Sequence, residues 1–150
     1  MPQSLSRILT HMIFSTKNRV CNLPSEIQSE LHPYIAVTLR ENGCPSLQIG
    51  GIDNHVHLLF GLSRTLSIAQ VVEIVKTSSS KWLKGKGTDF ADFHWQSGYG
   101  AFSISQSNAN AVIRYIENQK EHHRKMTFQE EYCHFLKRYM IEYDEKYVWD

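Results

Sequence analysis

Two pairs of residues in this chain have types and spacings that chemistry uses: His55 with His57, and Tyr115 with Gln119. Side chains two apart on a strand point to one face, so both imidazoles of His55-Val56-His57 can approach one cation. Imidazole suits Zn, Mn, Fe or Cu and is a less natural first choice for Mg. The same two rings also fit half-exposed histidines hydrogen-bonded to the backbone, and two ligands are not a site. Spacing of four puts Tyr115 and Gln119 on one helical face, with His122 roughly a turn beyond. A phenol of pKa ~10 is a poor nucleophile at neutral pH. It becomes useful beside a metal that offsets charge, where an amide oxygen one turn away can serve as a third ligand. Taken alone, Tyr115 also fits an interface aromatic and Gln119 a surface residue. His122 and His123 are close enough to Tyr115 in sequence to take its proton, or are polar residues at an exposed helix end. His11 can line the site or simply pack.

The elements that must position these residues follow from periodicity. Residues 5–14 read as a strand, with Leu9, His11 and Ile13 on one face and Thr10, Met12 and Phe14 on the other. Leu23, Ile27, Leu31, Ile35 and Leu39 recur every four residues, a helix started by Asn22 and Pro24 and stopped by Asn42-Gly43. Residues 47–52 and 55–62 are apolar runs joined by Asp53-Asn54, a hairpin signal. Ile68, Val71, Val72, Val75, Trp82 and Leu83 predict a second helix closed by Gly85 and Gly87, and residues 99–105 a fourth strand. A third helix is expected from about Asn108 to His123, and a fourth from Thr127, where Thr127-x-x-Glu130 matches a capping box. Strand, helix, strand, strand, helix, strand and two further helices is the ferredoxin-like split βαβ order of an α+β protein with an antiparallel sheet. Fold alone says nothing of chemistry.

Composition narrows the setting. A chain of 150 residues, 41% hydrophobic, fits one domain spanning 1–150 and is too short for two full-sized ones. Its 17 Phe, Trp and Tyr residues (11%) exclude wholesale disorder. No run reaches the ~20 apolar residues of a membrane span, and no signal-peptide core is present, so a cytoplasmic protein is expected. Cys21, Cys44 and Cys133 have neither metal-ligand nor redox spacing and read as reduced thiols. The net charge of +1 is unevenly spread. Arg64, Lys76, Lys81, Lys84 and Lys86 face only Glu73 between 64 and 87, whereas six acids face three cations after Met126.

The combination His-φ-His, then Tyr-x-x-x-Gln on a helix some sixty residues later, resembles the HUH single-tyrosine transposases. These are the small enzymes of insertion sequences that move as single-stranded DNA, together with their REP-associated relatives. The resemblance runs through HMIFSTKNR (11–19), GGIDNHVHLLF (50–60), KTSSSKWLK (76–84), WQSGYGAFSIS (95–105), YIENQKEHH (115–123) and FQEEY (128–132). It implies His55 and His57 as metal ligands, Gln119 as the third, Mg²⁺ or Mn²⁺ as the ion, and Tyr115 as the nucleophile. It implies attack on a single-stranded DNA phosphodiester, leaving a 5′-phosphotyrosine and a free 3′-hydroxyl that allow strand rejoining. It further implies a homodimer, hairpin ends as the recognised DNA, and association with the nucleoid while acting.

DNA contacts are expected from local cations: Lys17 and Arg19 after the first strand, Lys76, Lys81 and Lys84 on the second helix, and Arg114, Lys120 and Arg124 around the tyrosine face. Trp82, Trp95 and Tyr99 are candidate stacking platforms for a single strand, although Trp82 lies on an apolar stripe. Three rivals remain. A histidine-triad hydrolase needs a third alternating histidine, where Leu59 stands. A non-catalytic, domesticated hairpin-binding protein would keep the fold and the DNA affinity. A structural metal-binding domain would make the tyrosine motif incidental.

Overall fold

The structure, a computed structural model, describes residues 2–150. Its elements are β1 (Leu9–Ser15), α1 (Ser25–Glu41), β2 (Ser46–Ile52), β3 (His55–Gly61), α2 (Ile68–Lys84), β4 (Gly100–Ile104), α3 (Ala109–Glu117), α4 (Gln119–His122) and α5 (Phe128–Arg138). The sheet order is β2-β3-β1-β4 and every neighbouring pair is antiparallel. This is the ferredoxin-like split βαβ arrangement expected from the element order, with β1 and β3 as the central strands.

Alternation along those strands divides the molecule into two layers. Met12, Phe14, Val56, Leu58 and Phe60 face α1 and α2 in the main core, together with Leu31, Ile35 and Val75. The opposite face carries Leu9, His11, Ile13, His55, His57 and Leu59. There Leu9 and Leu59 meet Ala109, Val112 and Ile116 of α3, while Ile13 and Phe102 meet Phe128, Tyr132, Phe135 and Leu136 of α5.

Two glycines let these helices sit close. A Cβ on Gly50 of β2 would lie 2.7 Å from the Ile116 carbonyl oxygen, and one on Gly100 of β4 would lie 2.6 Å from the Tyr132 ring. At these two positions the helices approach strand backbone directly.

Some boundaries differ from expectation for visible reasons. β1 begins at Leu9 rather than at residue 5, because both partner strands end opposite it, at Gly61 and Ile104. Leu5 and Ile8, beyond the last pair of the ladder, are 85% and 52% exposed. The third helix is two pieces, α3 and α4, parted at Asn118 (φ −97°, ψ 25°). The Thr127 capping box forms as read, and Ser67 and Gln70 make another at the start of α2. Trp95 is buried and donates from Nε1 to Ser79 Oγ (2.9 Å), so its ring belongs to the core and not to a stacking surface. Trp82 stacks on Tyr34 with ring centroids 5.1 Å apart.

Candidate active site

β3 delivers both histidines to the α3–α5 face, and both side chains are fully buried. α3 lays Tyr115 over them, with its ring centroid 5.8 Å from that of His57. The break at Asn118 starts a new short helix whose first residue is Gln119 and whose C-cap is His123. α5 adds Glu131, 1% exposed, from the apolar stripe that also holds Phe128, Tyr132 and Phe135.

The polar atoms converge. Glu131 Oε1 lies 3.0 Å from His57 Nε2, 3.4 Å from His55 Nε2 and 3.3 Å from His123 Nε2. Gln119 Oε1 lies 3.1 Å from His55 Nε2 and 3.0 Å from His123 Nε2. The other carboxylate oxygen, Oε2, accepts from the Tyr115 hydroxyl, which also meets His122 Nε2 at 3.0 Å.

The outer nitrogens show what the inner ones can do. His55 Nδ1 is 2.8 Å from Asn54 Oδ1, and His123 Nδ1 is 2.7 Å from the Met126 carbonyl. Both partners accept, so each Nδ1 carries a proton, and each Nε2 either turns a lone pair to a bound cation or, without one, carries a second proton toward Glu131. His57 Nδ1 is likewise tied from behind, to His11 Nε2 at 2.8 Å. The centre is thus a ring of imidazole nitrogens and an amide oxygen around one carboxylate, an arrangement that requires positive charge among them, from protons or from a cation. A divalent cation fits that requirement. Nitrogen and oxygen ligands about 2.0–2.2 Å from one ion stand roughly 3–3.5 Å from each other, the spacing seen here. The ligand atoms of His55, His57, His123 and Glu131 all lie within 4.8 Å of one another.

Protonation follows the same field. Burial would raise the Glu131 carboxyl, but the charge of His57 and the hydrogen bonds from His123, His55 and His57 outweigh it and hold the group far below the usual carboxylate range. Burial lowers His55 to about 4 and His11 to about 3. Burial also pulls on His123, yet its hydrogen bond to Glu131 and that carboxylate's charge lift it above the ordinary value. Burial first, and the Glu131 charge second, push the Tyr115 phenol well above its ordinary range.

Tyr115 also forms a wall of a cavity of about 210 Å³. His11, Asn108, Phe135, Arg138 and Tyr139 complete most of it, and His11 Nδ1 is buried there without a partner.

Of the residues singled out by sequence, His55, His57, Tyr115 and Gln119 are brought together, and His11, His122 and His123 join them. The cations are scattered. Arg114, Lys120 and Arg124 are exposed on and after α3 and α4, where Arg124 pairs with Glu121 at 3.4 Å. Lys17 is exposed after β1, and Arg19 donates to the Trp149 carbonyl at 2.7 Å. Lys81 and Lys84 are exposed on α2, which packs on the other side of the sheet from Tyr115. Lys76 turns its ammonium onto the carbonyls of Gln96 (2.7 Å), Ser97 (3.3 Å) and Gly98 (2.7 Å). Burial lowers its pKa to about 8. Sequence reasoning missed Glu131 and Arg138. The signal for Glu131 was an acid one turn from Phe128 and Phe135 on an otherwise apolar helix face.

Comparisons with known proteins bear on the family and the fold. The family described as "Transposase IS200 like" matches residues 4–119. No curated protein matches the chain. Among solved structures, a protein assigned as a transposase from Deinococcus radiodurans R1 is similar at 23% identity and TM-score 0.61, covering 79% of this chain and 98% of that one. A REP-associated tyrosine transposase bound to a REP hairpin is similar at 14% identity and TM-score 0.59, covering 82% of this chain and 74% of that one. With the match spanning both β3 and the Tyr115 helix, the chain belongs to the IS200-like transposase family.

Proposed function

We propose that this chain cleaves and rejoins single-stranded DNA through Tyr115, with a divalent metal held beside it by His55, His57 and Gln119. The observation that carries the reading is the shared carboxylate: Glu131 touches the histidine cluster through Oε1 and the Tyr115 hydroxyl through Oε2. A phenol on an ordinary surface would have no reason to meet a buried imidazole cluster.

In this reading the Tyr115 oxygen forms a bond to phosphorus and the bond to the 3′ oxygen breaks, leaving a 5′-phosphotyrosine and a 3′-hydroxyl. His122 and Glu131 are the groups placed to receive the phenolic proton. A bound cation supplies charge stabilisation at the phosphate oxygens. The cavity beside Tyr115, with Arg138 and Asn108 at its wall, gives the strand an approach to the nucleophile. Phosphate contacts come from Arg114, Lys120 and Arg124 on the same side, and from Lys17 and Arg19 at the end of β1. A strand reaching Lys81 and Lys84 would have to pass around the sheet. The recognised DNA is a hairpin, a reading supported by the hairpin complex of the structurally similar REP-associated enzyme. In this reading a second copy, in a homodimer, adds DNA-binding surface.

The test is a labelled single-stranded hairpin oligonucleotide incubated with protein and Mn²⁺, then resolved on a denaturing gel. A covalent band that is lost with chelator and in Tyr115→Phe is expected. Tight hairpin binding with no covalent band under any metal would replace this reading with that of a non-catalytic hairpin-binding protein.

A further inference from the structure

The resemblance points to two histidines and a glutamine as ligands, but the geometry holds more. His123 Nε2 and Glu131 Oε1 reach the same centre as His55 and His57, with the distances given above. Every imidazole in the cluster is fixed from behind: His55 by Asn54, His123 by the Met126 carbonyl and His57 by His11. Outer partners of this kind orient metal-bound histidines and set which nitrogen is free. Gln119 Oε1 faces His55 and His123, while its amide nitrogen donates to the Tyr115 carbonyl (3.3 Å), which aims the oxygen inward.

We propose that His123 and Glu131 are metal ligands, so that the ion is held by three imidazoles and one carboxylate with the Gln119 oxygen as a fifth donor, and that the site takes a transition-metal dication in preference to Mg²⁺. This deepens the proposed function by naming the ligands of the same site.

The preference follows from the donor set. Mg²⁺ demands near-octahedral oxygen coordination and keeps several waters. A buried pocket with three nitrogen donors cannot provide that, whereas Fe²⁺, Co²⁺ and Zn²⁺ accept imidazole readily. Ligands drawn from β3, the end of α4 and α5 also make the ion a clasp across the site face. A purely structural hydrogen-bonded cluster would need protons in place of the ion, and would bind no metal.

The experiment counts ligands directly. Full-length protein is stripped with chelator, loaded with one equivalent of Co²⁺ or Zn²⁺, and examined by X-ray absorption for the number of imidazoles. Three are expected. Co²⁺ titration followed by visible absorption should show one site, not displaced by a roughly hundredfold excess of Mg²⁺. Affinity should fall at least about tenfold in Glu131→Gln and in His123→Ala, with circular dichroism confirming that each variant is folded. The imidazole count needs only the wild-type chain, so it stands even if a variant fails to fold. A count of two, no metal binding, ready displacement by Mg²⁺, or unchanged Co²⁺ affinity in both folded variants would overturn the assignment. A count of two with the covalent DNA band intact overturns the ligands and leaves the proposed function standing. Three imidazoles without that band does the reverse.

Discussion

The Tyr115 hydroxyl and the His57 imidazole are joined by a single carboxylate, Glu131, which receives the phenol on Oε2 and stands 3.0 Å from His57 Nε2 on Oε1. The phenol is therefore electrostatically coupled to His55 and His57 through Glu131, while its own hydroxyl meets His122 directly. Replacing Glu131 by Gln removes the charge that opposes phenolate formation, while burial, the larger cause, stays in place. The phenol in Glu131→Gln should titrate at lower pH than in the wild type. The measurement is an ultraviolet absorbance titration referenced to Tyr115→Phe, and equal titration in both proteins would contradict the coupling.

Metal should stabilise the fold, because its ligands are split among elements distant in sequence. At a free metal concentration ~100 times the dissociation constant, the gain is about 2.7 kcal/mol. Thermal unfolding followed by circular dichroism should show a higher midpoint with Mn²⁺ or Zn²⁺ and its return with chelator. His57→Ala should show a smaller shift, about 1.4 kcal/mol at the same metal concentration for a roughly tenfold loss of affinity.

Acid should weaken the metal-free protein. Burial lowers His32 and His55 to about 4 and His11 to about 3, all below the value the unfolded chain would have. The unfolded state then binds protons that the folded state refuses, so stability is complete above the ordinary histidine pKa and declines as pH falls toward 4. His123, raised by Glu131, works in the opposite direction but is one group against four, since burial also lowers His122. Urea midpoints from about pH 7 down to about pH 4.5 should drop. The slope should flatten in His32→Gln, whose Nε2 is buried without a partner in the wild type.

The lysines of α2 should separate by task. Lys76→Ala strips a donor from three carbonyls and should cost about 1–3 kcal/mol in urea unfolding. Lys81→Ala and Lys84→Ala, both exposed, should change stability by less than about 0.5 kcal/mol. In single-strand binding, Arg114→Ala and Lys120→Ala on the site face should each reduce the salt slope by about 1. The α2 substitutions should leave that slope unchanged unless the strand wraps the sheet.

Gly50→Ala places a methyl where the Ile116 backbone and side chain already stand. α3 must lift, and Tyr115 with it. A loss of about 1–3 kcal/mol is expected from overpacking, together with reduced formation of the covalent DNA product. Full stability in this variant would show that α3 can settle elsewhere on β2.

The sequence displays local features well and distant ones poorly. The His-Val-His alternation, the Asp53-Asn54 turn and the Thr127 capping box are written in neighbouring residues, and all three form. Glu131 is different: its role depends on α5 lying across the site face, a contact spanning 74 residues to His57. Its neighbours Phe128 and Tyr132 carry the periodic signal, and a glutamate beside Glu130 looks like one more surface acid. Lys76 reads as a phosphate contact until the loop at 96–98 folds back onto it. The parting of the tyrosine helix at Asn118 leaves no periodic trace, because Tyr115, Gln119 and His123 keep a spacing of four across it.

β3 carries the core and the buried histidines in alternate positions: Val56, Leu58 and Phe60 inward to the main core, His55 and His57 to the other face. One residue gained or lost within this strand would exchange the two sets, sending imidazoles into hydrocarbon and aliphatic groups into the ring of ligands. The strand thus has a reading frame of its own. Descendants of this chain can lose the chemistry by substitution and keep the fold, but a single-residue slip in β3 would forfeit both together.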